Sequence, residues 1–137
     1  MSISLKDFET PLETIPYAKG LGTLILNNKI LKKYIDEWPH RNEHSIELQL
    51  PLIQYMMQQD FEILPVLTGS MHEYVEGKKG IDDGEIDEIV TNLREVLAAY
   101  RKPFVILSGA DLAHIGAQFG DGSALDMATL AHSKGAR

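Results

Sequence analysis

The chain has 137 residues, 44% of them hydrophobic, with no cysteine and a net charge of −7 from 13 basic and 20 acidic residues. The length and composition predict one globular domain, residues 1–137, with a single core. The lack of cysteine excludes disulfides, catalysis by a cysteine and zinc sites built from cysteines. No apolar run approaches the ~20 residues of a membrane span, and the N-terminus lacks the apolar segment of a secretory signal. Because the basic residues do not cluster, nucleic acid is disfavoured. We therefore expect a cytoplasmic protein without membrane or nucleic-acid partners.

The first third of the chain predicts a strand-rich start followed by a helix. Residues 8–17 alternate but contain two prolines, so they predict an edge strand or an extended loop. Residues 21–26, LGTLIL, predict a short strand. Asn27 or Asn28 can cap a following helix, whose apolar spacing reaches Trp38 and which Pro39 should end.

The middle of the chain predicts a second helix and a second strand. Residues 40–60 carry a wide apolar face, so we expect a largely buried helix capped by Asn42. Pro51 must kink or divide that helix, because it lacks an N–H group and clashes with the preceding turn. Residues 61–68, FEILPVLT, predict a strand interrupted by Pro65.

The last third predicts a helix, a buried strand and a final helix at residues 125–131. Residues 85–100 place apolar side chains three and four apart, which is typical of an amphipathic helix. The run Phe104–Leu107, FVIL, is apolar on both faces, so it predicts a strand in the middle of a covered sheet. This alternation of strands and helices predicts an α/β fold with a mostly parallel sheet.

An acid and an imidazole follow the strand at residues 104–107. Ligands of open α/β sheets bind beyond the carboxyl ends of the strands, where Asp111 and His114 fall. Asp111 can hold one tautomer of the His114 ring, which leaves the other ring nitrogen as an acid or base near neutral pH. The alternative is structural, with Asp111 capping a turn and His114 bonded to backbone.

A second group of polar residues lies in HRNEH, residues 40–44. This sequence matches the H-x-x-E-H pattern of inverted zinc peptidases, in which His40 and His44 would bind zinc and Glu43 would activate water. Pro39 opposes this, because it places His40 outside the helix. Two alternatives are that Glu43 and Glu47 stabilise a helix N-terminus, or that His44 and Glu47 point into the crevice near His114.

Several of these segments together resemble one known family. EHSIELQLP at residues 43–51, ILPVLTG at 63–69 and SGADLAH at 108–114 resemble blocks of the Memo-like family, also labelled AmmeMemoRadiSam system protein B. FETPL at residues 8–12 resembles the extended segment that precedes EHSIE in that family. The blocks occur in the same order over residues 7–121.

The resemblance implies a fold, a site and a cofactor. The family is similar to the catalytic subunit of class III extradiol dioxygenases, which implies a three-layer α/β/α fold and a non-haem Fe(II) site. By that similarity His114 is the acid/base with Asp111 beside it, and the pocket is lined by Glu43, His44, Glu47 and Ser108. The family's histidine motifs that supply metal ligands have no counterpart here, so no metal ligand is assigned.

The missing histidine motifs change the function that we expect of this chain. The chain resembles a middle part of the fold, incomplete relative to the family, so we expect a partial crevice without ring-cleavage activity. The first alternative is a non-catalytic module that binds a peptide or protein. The second is the H-x-x-E-H zinc peptidase. Because unpaired sheet edges invite pairing with another chain, we also expect a homo-oligomer.

Overall fold

The computed structural model describes residues 1–69, 77–78 and 84–110, which form a mixed α/β structure. The predicted residues Asp111 and His114 and the predicted helix at 125–131 lie outside the described residues. The strands, in chain order, are β1 Ser2–Ile3, β2 Phe8–Glu9, β3 Thr14–Ile15 and β4 Val66–Leu67. The helices are α1 Lys19–Asn27, 3-10 helices Leu31–Tyr34 and Pro39–Arg41, α2 Leu50–Met57 and α3 Glu85–Ala99.

The sheets of the described residues are small and antiparallel. β1 pairs with β4 and β2 pairs with β3, each over two residues. Parallel pairing is confined to isolated bridges, between Ile3 and Ile35 and between Tyr17 and Ile63. The prediction that the chain mixes helices and strands is confirmed. The described residues do not form the predicted three-layer fold with a mostly parallel sheet.

The core lies between α1, β1 and the C-terminal half of α3. Leu21 and Ile25 stand four residues apart on α1, so they occupy one face of the helix and are buried together. The predicted strand at residues 21–26 is therefore wrong, since this apolar run is helical. The core is completed by Ile3, Ala18, Leu31 and Val96.

Pro51 lies in the first turn of α2, which begins at Leu50, rather than kinking a longer helix. It occupies the first turn, where a missing N–H group costs nothing because that group has no helical partner. Residues 45–49 before it form turns. The prediction of a largely buried helix is wrong, because only Leu50 and Gln54 of α2 are buried. The side-chain oxygen of Gln54 accepts a hydrogen bond of 2.7 Å from the Thr10 hydroxyl, which joins α2 to the β2–β3 hairpin.

The predicted helix at residues 85–100 is confirmed, as α3 spans Glu85–Ala99. The helix predicted to reach Trp38 is only the short 3-10 helix Leu31–Tyr34, and its N-cap is Ile30 rather than Asn28, although Asn28 hydrogen-bonds to its start. The Asn28 side-chain oxygen accepts hydrogen bonds from the amides of Ile30 and Leu31, at 3.0 and 2.9 Å. The Asn28 side-chain amide donates to Asn92 of α3 at 2.9 Å, so the end of α1 is tied to α3.

Residues 103–110 form no regular secondary structure and are exposed, so the predicted buried strand is wrong. Their side chains are exposed, with Val105 at 80% and Ile106 at 72%. Within the described part of the chain, no backbone hydrogen bond reaches these residues. An apolar run forms a central strand only when neighbouring strands pair with it on both sides. Among the described helices, none combines the length and apolarity needed to cross a membrane.

Candidate functional site

An open cleft of about 490 Å³ lies where the β1–β4 sheet meets the segment around residues 39–45. One wall is formed by the start of the chain and the end of β4, and the other by the second 3-10 helix and the residues that follow it. The cleft is lined by Met1, Ser2, Pro39, Glu43, Ser45, Leu67, Thr68 and Gly69. Glu43 is thus the predicted pocket residue that the structure places in a cleft.

The Glu43 carboxylate is hydrogen-bonded to Ser45, two residues further along the chain. Its oxygen Oε1 accepts a hydrogen bond of 2.8 Å from the backbone N–H of Ser45. That bond is the main reason why the pKa of Glu43 is lowered, and the Ser45 hydroxyl adds to the effect. The Glu43 side chain is 40% exposed, so it carries a negative charge at the rim of the cleft rather than in a dry interior.

His44 and Glu47 do not line this cleft. The His44 side chain is 77% exposed, and its Nδ1 lies 4.0 Å from Glu43 Oε1. Glu47 is exposed within the turns that precede α2. The interpretation of both as pocket residues therefore depends on segments beyond the described ones.

Two of the sequence blocks meet at Gln49 and Gly109. The side-chain amide of Gln49 donates to the Ser45 carbonyl at 2.6 Å. Its nitrogen lies so close to Gly109 that a Cβ atom at residue 109 would overlap it. Ser45, Gln49 and Gly109 thus connect the Glu43 side of the cleft to the segment that contains Ser108. Ser108 itself is exposed.

Ser45 and Gln49 were not among the predicted site residues. Both lie inside the block EHSIELQLP, so the signal that identifies them is their place in that block rather than their residue type. A serine amide and a glutamine side chain carry no distinctive chemistry alone. Their role here is positional, since Ser45 fixes the Glu43 carboxylate and Gln49 contacts residue 109.

The H-x-x-E-H pattern does not form a single helical face. His40 lies in the 3-10 helix Pro39–Arg41, whereas Glu43 and His44 follow it in irregular backbone. The His40 ring packs edge-on against Phe8, with ring centroids 6.5 Å apart. Its Nε2 is buried and has no hydrogen-bond partner within the described ranges. This packing favours a structural role for His40.

A metal centre needs several convergent ligands, and the described residues do not provide them. A non-haem iron oxygenase site of the common type uses three protein ligands, two histidines and a carboxylate. Across residues 1–69, 77–78 and 84–110, no three His, Asp or Glu side chains group closely enough to hold a metal ion. This part of the chain therefore does not fit the iron that the family resemblance implies.

Comparison with known proteins connects these features to a family. A family model described as Memo-like protein matches residues 1–135. A MEMO1 family protein of Methanosarcina barkeri is 31% identical over 118 residues, which cover 83% of this chain and 38% of that protein. One from Methanosarcina mazei is 31% identical over 114 residues, with the same shares.

A third relative matches more closely over a shorter stretch. The MEMO1 family protein of Desulfurococcus amylolyticus is 40% identical over 62 residues, 45% of this chain and 22% of that protein. The chain spans about 38% of the length of the first two relatives. No solved structure matches it. The match of the family model over residues 1–135, together with these relatives, shows that the chain belongs to the Memo-like family.

Proposed function

We propose that this chain carries the acid–base side of a Memo-like ligand cleft and is not a ring-cleavage enzyme by itself. The observation that supports this most directly is the contact between Gln49 and Gly109. It brings the EHSIELQLP block, with Glu43 at the cleft, next to the block that continues into Asp111 and His114. In this proposal the isolated parallel bridges belong to a larger, mostly parallel sheet of a three-layer fold.

Each polar residue has a proposed role. Glu43 is ionised at neutral pH, and the hydrogen bond from Ser45 fixes one of its oxygens, so the carboxylate attracts ligand groups that donate hydrogen bonds, such as phenolic hydroxyls. His114 transfers the proton, and Asp111 fixes the tautomer of its ring. Ser108, His44 and Glu47 lie outside the described cleft, and in this proposal they line its continuation towards Asp111 and His114.

The proposed chemistry does not include a metal-dependent step. Iron, where a Memo-like protein binds it, would supply oxygen or redox chemistry by the family resemblance. The side chains of the described residues do not form such a centre, so the proposal assigns this chain binding and proton transfer only.

The second candidate is a non-catalytic module in which the same cleft binds a peptide. The observation that favours it is the composition of the walls, where residues 67–69 at the end of β4 lie beside the carboxylate of Glu43. Backbone at a strand end hydrogen-bonds an extended peptide, and a carboxylate favours a basic residue in that peptide.

Titration with catechol distinguishes these functions. We expect catechol to shift the NMR amide signals of Ser45 and Thr68, and Glu43→Gln to weaken its binding roughly five- to tenfold through the lost charged acceptor. Glu95→Gln, an exposed carboxylate on α3, is the matched control and should bind as the natural chain does. With ferrous iron and oxygen present, we expect no ring-opened product.

Three results would contradict the leading proposal. Ring-opened product would show that the chain is a complete enzyme, and tight one-to-one ferrous iron binding by calorimetry would show a metal centre. Catechol binding that leaves the signals of Ser45 and Thr68 unmoved would place the ligand elsewhere. A basic peptide that shifts those signals where catechol does not would favour the module.

A further inference from the structure

The described surface has an apolar area that is separate from the cleft. On the α2 side it consists of Leu48, just before the helix, and Leu52, Tyr55 and Met56, spaced three and four residues apart as on one helical side. Their exposed fractions are 63%, 65%, 74% and 80%. The second part is the run Phe104–Leu107, which forms no regular secondary structure and has 47% to 80% of each side chain exposed.

Contacts at both ends of residues 102–109 place this run beside α2. Lys102 forms an ion pair of 3.1 Å with Glu62, which follows the end of α2 by five residues. Gly109 contacts Gln49, which directly precedes α2. The run is therefore fixed at both ends while its middle has no strand partner among the described residues.

From this we propose that the run Phe104–Leu107 is a dimerisation strand, which pairs antiparallel with the same run of a second copy while the α2 faces close over the pair. A strand with free N–H and C=O groups is a template for pairing with another chain. A two-fold axis makes one surface meet itself, so that surface must be complementary to itself. An uncharged apolar run, with β-branched Val105 and Ile106 at its centre, meets that requirement without like charges facing each other.

Charge and area both favour a second copy over a charged partner. No residue from 103 to 110 is charged, nor are the four residues on the α2 side, so this surface avoids the repulsion expected from a net charge of −7. All eight side chains are between 47% and 80% exposed, so each has apolar area left to bury in an interface. Strand pairing adds backbone area, which brings the total towards the ~800 Å² that each partner of a stable complex buries.

Light scattering after size exclusion tests the proposal. We expect a mass twice the 15.3 kDa of the chain at high concentration, with dissociation on dilution. Ile106→Lys should halve that mass, because a charge on the strand blocks pairing. Leu26→Lys is the matched control, since Leu26 is 55% exposed on α1 and lies outside the proposed interface, and it should remain dimeric.

Two further measurements keep the test decisive. Circular dichroism checks that the Ile106→Lys variant is folded. If that variant is unfolded, the Tyr55→Lys variant is used instead, and its mass tests the α2 side of the interface. Because the chain has no cysteine, Ile106→Cys reports the pairing directly through a disulfide between copies, whereas Leu26→Cys should not cross-link. A monomer at every concentration, or an Ile106→Lys variant that stays dimeric, would overturn the proposal. So would an interface that forms with another protein but not with a second copy.

Discussion

At the scale of single residues, the candidate site depends on neighbours rather than on unusual side chains. Glu43 obtains its fixed position and its lowered pKa from the amide and hydroxyl of Ser45. Gln49 uses its own amide to bond the Ser45 carbonyl and to contact Gly109. One short segment therefore sets both the charge of the cleft and its link to the residues around Ser108.

The pKa of Glu43 predicts a pH-dependent contribution to stability. Because its folded-state pKa lies below the unfolded value, the ionised carboxylate stabilises the fold above the unfolded pKa, and this contribution is lost as pH falls through the folded pKa. Glu43→Gln should therefore be less stable than the natural chain near neutral pH, and the difference should vanish in strong acid. Urea unfolding at both pH values measures it.

Ser45→Ala is the control for that prediction. It removes the hydroxyl but keeps the backbone N–H that makes the main contribution, so most of the pH dependence should persist. A stability difference between the natural chain and the Glu43→Gln variant that stays constant from neutral to acid pH would contradict the proposed role of the Ser45 amide.

At the scale of elements, α1 and α3 both contribute buried side chains to the core. Ile25 of α1 is fully buried, whereas its neighbour Leu26 is 55% exposed. Val96 on the C-terminal half of α3 is buried in the same cluster. The two helices are further joined by the hydrogen bond between Asn28 and Asn92.

Adjacent residues on α1 should differ sharply in their effect on stability. Ile25→Ala removes a fully buried side chain and should lower the free energy of unfolding by about 2–5 kcal/mol, through lost burial and the cavity that remains. Leu26→Ala, with the same loss of size, should cost about 1 kcal/mol or less. Denaturant unfolding of both variants tests the helix, since a strand at these positions, or two equal losses, would contradict it.

The elements differ in how well the sequence predicts them, for physical reasons. α3 is predictable because apolar residues three and four apart from Ile86 to Leu97 specify a helix locally. Residues 21–26 form too short an apolar run to separate helix from strand, and packing against Val96 and Ile3 decides in favour of the helix. The run Phe104–Leu107 is exposed because burial of a central strand needs partners that no local pattern supplies.

The candidate site, like the fold, is only partly predictable from local sequence, because long-range packing decides which side chains line a cleft. Glu43 is singled out by its block in the sequence, and in the structure it lines an open cleft, while its functional role stays a prediction. His44 and Glu47 do not line that cleft, and residues 45–49 form turns where the sequence predicts part of a helix. The predicted roles of Asp111 and His114 stay predictions.

At the scale of the whole molecule, the chain combines a small core with two separate surfaces. The core supports a cleft beside Glu43, and α2 together with residues 104–107 forms an exposed apolar area. The chain spans about 38% of the length of its relatives in Methanosarcina. The claim on which the proposed cleft depends is that the segments around Gln49 and Ser108 lie together.

A spin label at Ser108 measures that proximity directly. The chain has no cysteine, so Ser108→Cys gives a single labelling site, and mixing isotope-labelled chains with separately spin-labelled chains isolates any effect between copies. Within one chain, we predict strong paramagnetic broadening of the Gln49 side-chain amide and the Ser45 amide relative to the reduced label. Unbroadened Gln49 and Ser45 signals would show that the two segments are apart and would contradict the proposed site.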